Sequence, residues 1–227
     1  MELKMKPKEW INYFFLLSSL QSLFSCNSDN AVNENAPNII LIMADDWSYP
    51  HAGFYGDSSV KTPTMDRLAK EGVIFEQAFV SAPSCTPSRA AILSGQHFWR
   101  LGQGANLFGK LSADVPIYTE IMKDAGYSVG YTDKGWGPGK HDNLSSNPAG
   151  IYFKSFKNFI QKIDPAQPFC FWFGSYNPHR GYERGSAREQ GWDISKIQMP
   201  KVYPESEVIR SDMADYLKEV QDFDEEV

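Results

Sequence analysis

The sequence has little cysteine and no excess of positive charge. Three cysteines among 227 residues, Cys26, Cys85 and Cys170, are too few for a disulfide scaffold. The net charge is −6 and the lysines and arginines are scattered, which argues against a nucleic-acid partner. There is no internal repeat, and 42% hydrophobic residues are typical of a globular protein. The length therefore favours one large domain, or at most two small ones.

The first 26 residues have the pattern of an export signal. A basic start at residues 4–8 precedes an apolar stretch, 11–24, that is too short to span a bilayer as a mature helix. It is followed by Cys26, and the Leu-Phe-Ser-Cys ending resembles the bacterial lipobox. We expect residues 1–25 to be a lipoprotein signal peptide, Cys26 to carry lipid, and 26–36 to be a polar tether. The protein would be an exported bacterial lipoprotein, in the periplasm or associated with the outer membrane. An ordinary cleaved signal is the alternative.

Continuous apolar runs predict strands in the remaining chain. Residues 38–44 and 169–173 lack the alternation of a half-exposed strand, so we expect them to be buried in a parallel sheet, the first on both faces. Residues 127–132 predict a third strand. Helices are predicted between the strands, one beginning at Thr62-Pro63, and the last around residues 213–220. This alternation predicts an α/β sandwich with a mostly parallel central sheet flanked by helices.

Unusual polar residues follow each of the three predicted strands. Asp45-Asp46 come after the strand predicted at 38–44, Lys134 after that at 127–132 and His179-Arg180 after that at 169–173. Ligands of open α/β sheets bind beyond the carboxyl ends of the strands. If the strands are parallel, the three groups lie on one rim and form an active site.

Asp45 and Asp46 predict a cation site. Adjacent carboxylates raise each other's pKa unless a cation offsets their charge, and hard oxygen ligands favour Ca²⁺ or Mg²⁺ over zinc. A turn with exposed acids is the alternative. Taken alone, Lys134 and His179 are also compatible with a surface lysine and a loop histidine. Cys170 lies inside an apolar strand and predicts a core thiol.

Cys85 and Arg89 predict an anion site at the start of a helix. The segment Cys-Thr-Pro-Ser-Arg reads as a turn that opens a helix, with the guanidinium four residues after the thiol. A helix N-terminus favours an anion and lowers the pKa of a thiol. A cysteine hydrolase would need a histidine base, and the chain offers four histidines.

Residues 85–95, CTPSRAAILSG, resemble the signature of the type I sulfatases. The resemblance implies an alkaline-phosphatase-like sandwich in which a maturation enzyme oxidises Cys85 to Cα-formylglycine. It implies that Asp45 and Asp46 bind a divalent metal, usually calcium, together with residue 85. Arg89 would steady the formylglycine hydrate. Lys134 and His179 would contact the sulfate, and His179 would protonate the leaving group.

Three further segments are similar to the heparan N-sulfatase (sulfamidase) branch of that family. They are 134–139, 174–180 and 211–227. The branch removes sulfate from N-sulfated glucosamine, so the resemblance implies a sulfated oligosaccharide as substrate. Many sulfatases have a histidine where this chain has Trp136, whose ring could stack on a sugar. Trp136 and Arg180 are therefore substrate-binding candidates beside Lys134 and His179.

The resemblance covers residues 37–227 and corresponds to the N-terminal half of the family's catalytic domain. Two further metal ligands of the family have no match, so we expect a fragment of a longer enzyme. We predict that the acids of residues 222–226, namely Asp222, Asp224, Glu225 and Glu226, form the solvated face and end of a helix. Two alternatives remain: a phosphodiesterase or phosphonate hydrolase of the same superfamily, and an inactive glycan-binding lipoprotein.

Overall fold

The computed structural model describes residues 36–141 and 147–227. The predicted signal peptide, the lipidation site Cys26 and all but the last residue of the predicted tether lie outside the described residues. Within these ranges, no helix has both the length and the apolar character needed to cross a membrane.

Over the described residues, the central sheet has four strands that all run parallel, in the order β1-β6-β3-β5. A separate parallel ladder joins β2 to β4. The strands are β1 (Ile39–Met43), β2 (Lys110–Leu111), β3 (Ser128–Asp133), β4 (Lys140–His141), β5 (Ile151–Tyr152) and β6 (Phe169–Gly174).

Helices alternate with these strands, which confirms the predicted α/β architecture. They are α1 (Pro63–Glu71), α2 (Cys85–Ser94), α3 (Tyr118–Asp124), α4 (Phe156–Ile160), α5 (Ser186–Glu189) and α6 (Glu207–Glu226). Short 3₁₀ turns lie at Gly53–Tyr55, Phe98–Arg100, Gly102–Ala105 and Ile194–Lys196. The predicted start at Thr62-Pro63 is confirmed, since Thr62 is the N-cap and Pro63 the first residue of α1.

Strand β6 lies between β1 and β3 and is the buried strand that its sequence predicts. Phe171 and Trp172 are fully buried, and Cys170 is a free, buried thiol. Loss of solvent around this thiol raises its pKa, because burial disfavours the thiolate. The prediction of a core cysteine is confirmed.

The prediction that β1 is buried on both faces is wrong for the described structure. Strand β1 is at an edge of the sheet and pairs with β6 alone among the described strands. Its isoleucines Ile39, Ile40 and Ile42 are exposed, Ile40 by 47%. A continuous apolar run specifies a strand that can be covered on both sides, but the neighbours that cover it are set by the rest of the fold.

Helix α6 carries buried carboxylates that hold the ends of two other helices. Asp224 is 1% exposed and accepts hydrogen bonds from the backbone N–H groups of Thr64 (3.0 Å) and Met65 (2.8 Å) at the start of α1. Asp215 accepts from the N–H of Ala187 at 2.9 Å in α5. A carboxylate satisfies the free N–H groups of a helix N-terminus and complements its dipole.

The prediction of a solvated acidic face at the end of α6 is therefore wrong for Asp224. Glu225 and Glu226 are exposed and Asp222 is partly exposed. Asp224 faces inward because the N-terminus of α1 docks against it. Its oxygens accept hydrogen bonds from backbone N–H groups. Asp224 therefore does not replace either of the two family metal ligands that have no match in this chain.

Asp224 is expected to matter for stability while its neighbour does not. Replacing Asp224 by Ala leaves two N–H groups of α1 without their partner, and we expect a loss of about 1–3 kcal/mol in the free energy of unfolding. The matched control is Glu225→Ala, in the same turn but exposed. Denaturant unfolding followed by circular dichroism measures both. Equal stabilities of the two variants would contradict the capping role.

Candidate active site

The ends of three parallel strands lie at one level of the sheet. Met43 of β1 and Asp133 of β3 are both in register with Gly174 of β6. The chain segments that leave these strands therefore emerge at the same edge. This confirms the predicted rim, on which the acidic pair, the lysine and the histidine follow three different strands.

Backbone hydrogen bonds continue past the strand ends and hold the rim together. The N–H of Lys134 donates to Gly174 O at 3.0 Å, and the N–H of Asp45 donates to Asn177 O at 2.9 Å. A Cβ at position 174 would lie 2.0 Å from Lys134 O. Only glycine permits this approach, so Gly174 brings the lysine-bearing segment against the other two.

Cys85 is the first residue of α2 and faces both the acid and the lysine of the rim. Its Sγ lies 3.2 Å from Lys134 Nζ and 3.5 Å from Asp45 Oδ1. Ser84 before it is extended, so the helix begins at the cysteine itself. The positive end of the helix dipole and the ammonium both favour negative charge at this side chain.

Asp45 is the buried anion of the site. It is 4% exposed, and its two oxygens face two cations. Lys134 Nζ forms a close ion pair with Oδ2, and Arg89 Nη2 lies 3.5 Å from Oδ1. A buried carboxylate is costly unless it is paired and hydrogen-bonded in this way.

Arg89 positions Lys134 as well as facing Asp45. Its Nη1 donates to the carbonyl oxygens of Lys134 and Gly135, both at 2.7 Å. Burial lowers the pKa of Arg89, because desolvation disfavours the charged form, and the charge of Asp45 opposes this change. The helical spacing of four residues places Arg89 one turn behind Cys85, beneath the site.

His179 enters the same cluster from the segment after β6. Its Nδ1 donates to Arg180 O at 2.7 Å, because a carbonyl oxygen only accepts. In the neutral ring Nε2 then carries the lone pair, and it lies 3.7 Å from Asp46 Oδ2. Asp46 is exposed and adopts the left-handed conformation, with φ 65°.

Asp45, Cys85 and His179 each offer one ligand atom within 4.8 Å of the others. A carboxylate and an imidazole fit a divalent cation, and the nearby Asp46 carboxylate adds hard oxygens. The sulfur of Cys85 is the soft member, and an oxygen in its place would make the set more suitable for Ca²⁺ or Mg²⁺. Sequence reasoning assigned Asp45, Asp46 and Cys85 to the metal and did not include His179.

The expectation that Trp136 offers a stacking surface to a sugar is wrong for this structure. Its side chain is 4% exposed and packs in the hydrophobic core with Leu111 and Trp172. The side-chain amide of Asn147 holds the backbone of Trp136 through two hydrogen bonds of 3.0 and 2.8 Å. The loop after Lys134 thereby turns this ring inward, where solvent and substrate do not reach it.

Arg180 lies on the outer rim, paired with a carboxylate. Its guanidinium donates twice to Asp212, at 2.8 and 2.5 Å, and lies over the ring of Tyr182 at 5.2 Å. The hydrogen bonds from Arg180 lower the pKa of Asp212. Arg180 is exposed, so it remains accessible to a ligand that reaches over this rim.

Sequence reasoning missed two residues that fix the loops of the site. The hydroxyl of Tyr216 in α6 accepts from Ser48 N at 2.9 Å and lies 3.5 Å from Asp46 O. Burial raises the pKa of Tyr216. Thr86 donates to Leu107 O at 2.6 Å and accepts from the N–H of Gly139 at 2.9 Å. Neither residue has a sequence signal, because their partners are distant in the chain.

Comparison with solved structures identifies proteins that share this fold. A solved structure of a protein in complex with its substrate D-glucosamine-2-N,6-O-disulfate matches with a TM-score of 0.59 and 20% identity. The match covers 84% of this chain and 60% of that one. With other solved neighbours, it confirms the predicted alkaline-phosphatase-like sandwich.

Two curated relatives have higher sequence identity over shorter stretches. Human arylsulfatase D is 39% identical over 122 residues, which is 49% of this chain and 20% of the relative. N-acetylgalactosamine-6-O-sulfatase of Bacteroides thetaiotaomicron is 37% identical over 134 residues, which is 54% of this chain and 26% of the relative. The matched stretches thus span about a fifth to a quarter of the length of these relatives. The family model described as Sulfatase matches residues 37–227, and the chain belongs to the Sulfatase family.

Proposed function

We propose that the protein hydrolyses sulfate esters or sulfamates of glycans at the cluster around Cys85. The observation that carries the proposal is the convergence of Cys85, Asp45 and Lys134 at the start of α2. There an ammonium, a guanidinium and a helix N-terminus all favour an anion. A sulfate group is an anion of this kind.

Each side chain has a role that its position supports. Lys134 would bind a sulfate oxygen and offset the charge that develops during transfer. Arg89 would keep the Lys134 segment and the residue-85 side chain in place. In the imidazolium form, with both ring nitrogens protonated, His179 would give the Nε2 proton to the oxygen or nitrogen that leaves with the glycan and return to the neutral ring.

The proposal includes two groups that the unmodified chain does not supply, a formylglycine and a divalent metal ion. Conversion of Cys85 to formylglycine by an oxidising maturation enzyme would supply a hydrated aldehyde whose hydroxyl attacks sulfur. Asp45 and Asp46, with residue 85, would hold Ca²⁺ or Mg²⁺, which offsets negative charge on the sulfate. The family generally uses both groups.

The favoured substrate is an N-sulfated glucosamine unit of an oligosaccharide, because residues 134–139 and 174–180 are similar to the sulfamidase branch. The relative that acts on 6-O-sulfated N-acetylgalactosamine supports an O-sulfated hexosamine as the nearest competitor. A parallel assay of both sulfated sugars, with a phosphate diester and a phosphonate ester, distinguishes sulfatase from phosphodiesterase or phosphonate hydrolase activity. Binding of the glycans without turnover would instead indicate an inactive binding protein.

Cys85 is expected to be modified in the native host. Trypsin releases it in a peptide of residues 71–89, and mass spectrometry of that peptide should show the sulfur replaced by oxygen with loss of two hydrogens. Cys85→Ala is the control, because it removes both the modification and sulfate release. An unmodified thiol in active protein would contradict the formylglycine mechanism.

Replacing Lys134 by Met is expected to lower sulfate release strongly. The change removes the ammonium next to Cys85, and loss of one such group costs about 100- to 1,000-fold in kcat. The control is Lys140→Met, an exposed lysine on β4. The measurement is kcat on 4-nitrophenyl sulfate in the full native protein, with circular dichroism to confirm folding. Comparable rates for the two variants would refute the role of Lys134.

We also propose that the protein is a lipoprotein anchored through Cys26. Several acyl chains, at about 0.8 kcal/mol per buried methylene, hold a protein durably on a membrane. Replacing Cys26 by Ser is expected to move the protein from the membrane fraction to the soluble exported fraction and to abolish labelling by a radioactive fatty acid. Cys170→Ser is the control, since that thiol is in the core. Retention of the label by the Cys26 variant would exclude the anchor.

A further inference from the structure

The segment directly after Asp46 carries an aromatic group that the proposed chemistry does not use. Tyr49 is 77% exposed, and its ring makes an edge-on contact with Tyr55 at 4.9 Å. Tyr55 in turn packs against Phe54 at 4.3 Å. We call these three residues the aromatic platform. Exposed apolar groups that form a contiguous patch, as these three rings do, commonly mark binding sites.

The platform is close to the reaction site by chain connectivity. Tyr49 follows Asp46 by three residues, and three residues of extended chain reach at most about 11 Å. A sugar unit linked to one whose sulfate lies at Cys85 is within this range. The platform is therefore close enough to Asp46 for the next sugar unit of an oligosaccharide at the rim to reach it.

The backbone that carries the platform is fixed on both sides. Ser48 N donates to the Tyr216 hydroxyl at 2.9 Å, immediately before Tyr49. Phe54 N donates to Asp66 Oδ1 at 2.9 Å. Between them, His51 Nδ1 pairs with Asp57 Oδ2 at 2.9 Å, and both side chains are buried.

These ties matter because an aromatic group on a rigid segment is ordered before its ligand arrives. A ligand that meets a fixed ring loses less free energy to ordering the protein. The platform is both exposed and rigid. An apolar side chain that is merely uncovered is exposed without being rigid, so the rigidity is what supports a binding role.

The chemistry of the platform differs from that of the rim. Its rings carry no formal charge, so they are suited to the C–H face of a neutral sugar and not to a sulfate group. A tyrosine ring offers a flat apolar face with a polar hydroxyl at its edge, which matches the mixed surface of a sugar. Trp136, which departs from the family's histidine and was the stacking candidate from the sequence, is buried and cannot take this part.

We propose that Tyr49, supported by Tyr55, is a stacking subsite for the neutral monosaccharide next to the sulfated one. The proposal rests on the proposed function, because the sulfated unit must occupy the cluster around Cys85. The aromatic platform would then give the enzyme a preference for a sulfated oligosaccharide over a simple sulfate ester.

Binding of a sugar without sulfate tests the subsite independently of catalysis. Calorimetry with a desulfated keratan sulfate hexasaccharide, all of whose sugar units are neutral, is expected to show that Tyr49→Ala weakens binding to the full native protein about tenfold, as expected for loss of roughly 1.4 kcal/mol of stacking. Tyr49→Phe keeps the ring and should restore binding. Tyr152→Ala, an exposed tyrosine on β5, is the matched control. Equal affinities for wild type and Tyr49→Ala, or binding by neither, would overturn the subsite.

A kinetic measurement separates this proposal from the proposed function. We expect Tyr49→Ala to raise the KM for a keratan sulfate hexasaccharide, whose sugar units carry no carboxylate, about tenfold relative to its KM for 4-nitrophenyl sulfate. A ratio unchanged from wild type would contradict the subsite while leaving the sulfatase function intact. Wild-type protein that releases no sulfate from either substrate refutes the proposed function. The hexasaccharide titration then decides the subsite alone.

Discussion

Asp45 carries a negative charge where water scarcely reaches it, and much of the site is arranged around that charge. Two cations, Lys134 and Arg89, face its oxygens, and the first of them also lies against Cys85. A buried carboxylate without such partners costs several kcal/mol. The same cations are those that, under the proposed function, favour the anionic substrate, so one set of groups would serve both the stability of the fold and the recognition of sulfate. Arg89 further ties the Lys134 backbone in place, which keeps the lysine from following a bound anion away from Cys85.

Parallel strands make this arrangement predictable in outline. The carboxyl ends of β1, β3 and β6 meet at one edge, so residues that follow three separate apolar runs were expected together and are found together. The spacing of Cys85 and Arg89 is equally informative, because four residues are one turn of a helix. In each of these cases the geometry follows from local repeats: the register of a sheet or the pitch of a helix.

Other features depend on partners that no local pattern reveals. Trp136 was expected at a sugar site, but Asn147 turns its loop so that the ring enters the core. Asp224 was expected in solvent, but the N-terminus of α1 docks on it across 160 residues of sequence. Strand β1 has an apolar sequence suited to two covered faces and is exposed in the described structure. A residue's type limits the environments that suit it, while tertiary contacts select which one it occupies.

The hydrogen bond between Ser48 and Tyr216 joins residues that are 168 positions apart. The contacts of Asp45 with Cys85 and Lys134 span 40 and 89 positions. Closing loops of this length costs chain entropy before any contact compensates for it. The site therefore has little local stability of its own, and partly folded chains lack it. A chain made from its N-terminus contains both aspartates long before α6 exists, so the loop beside Asp46 reaches its final form only when α6 docks.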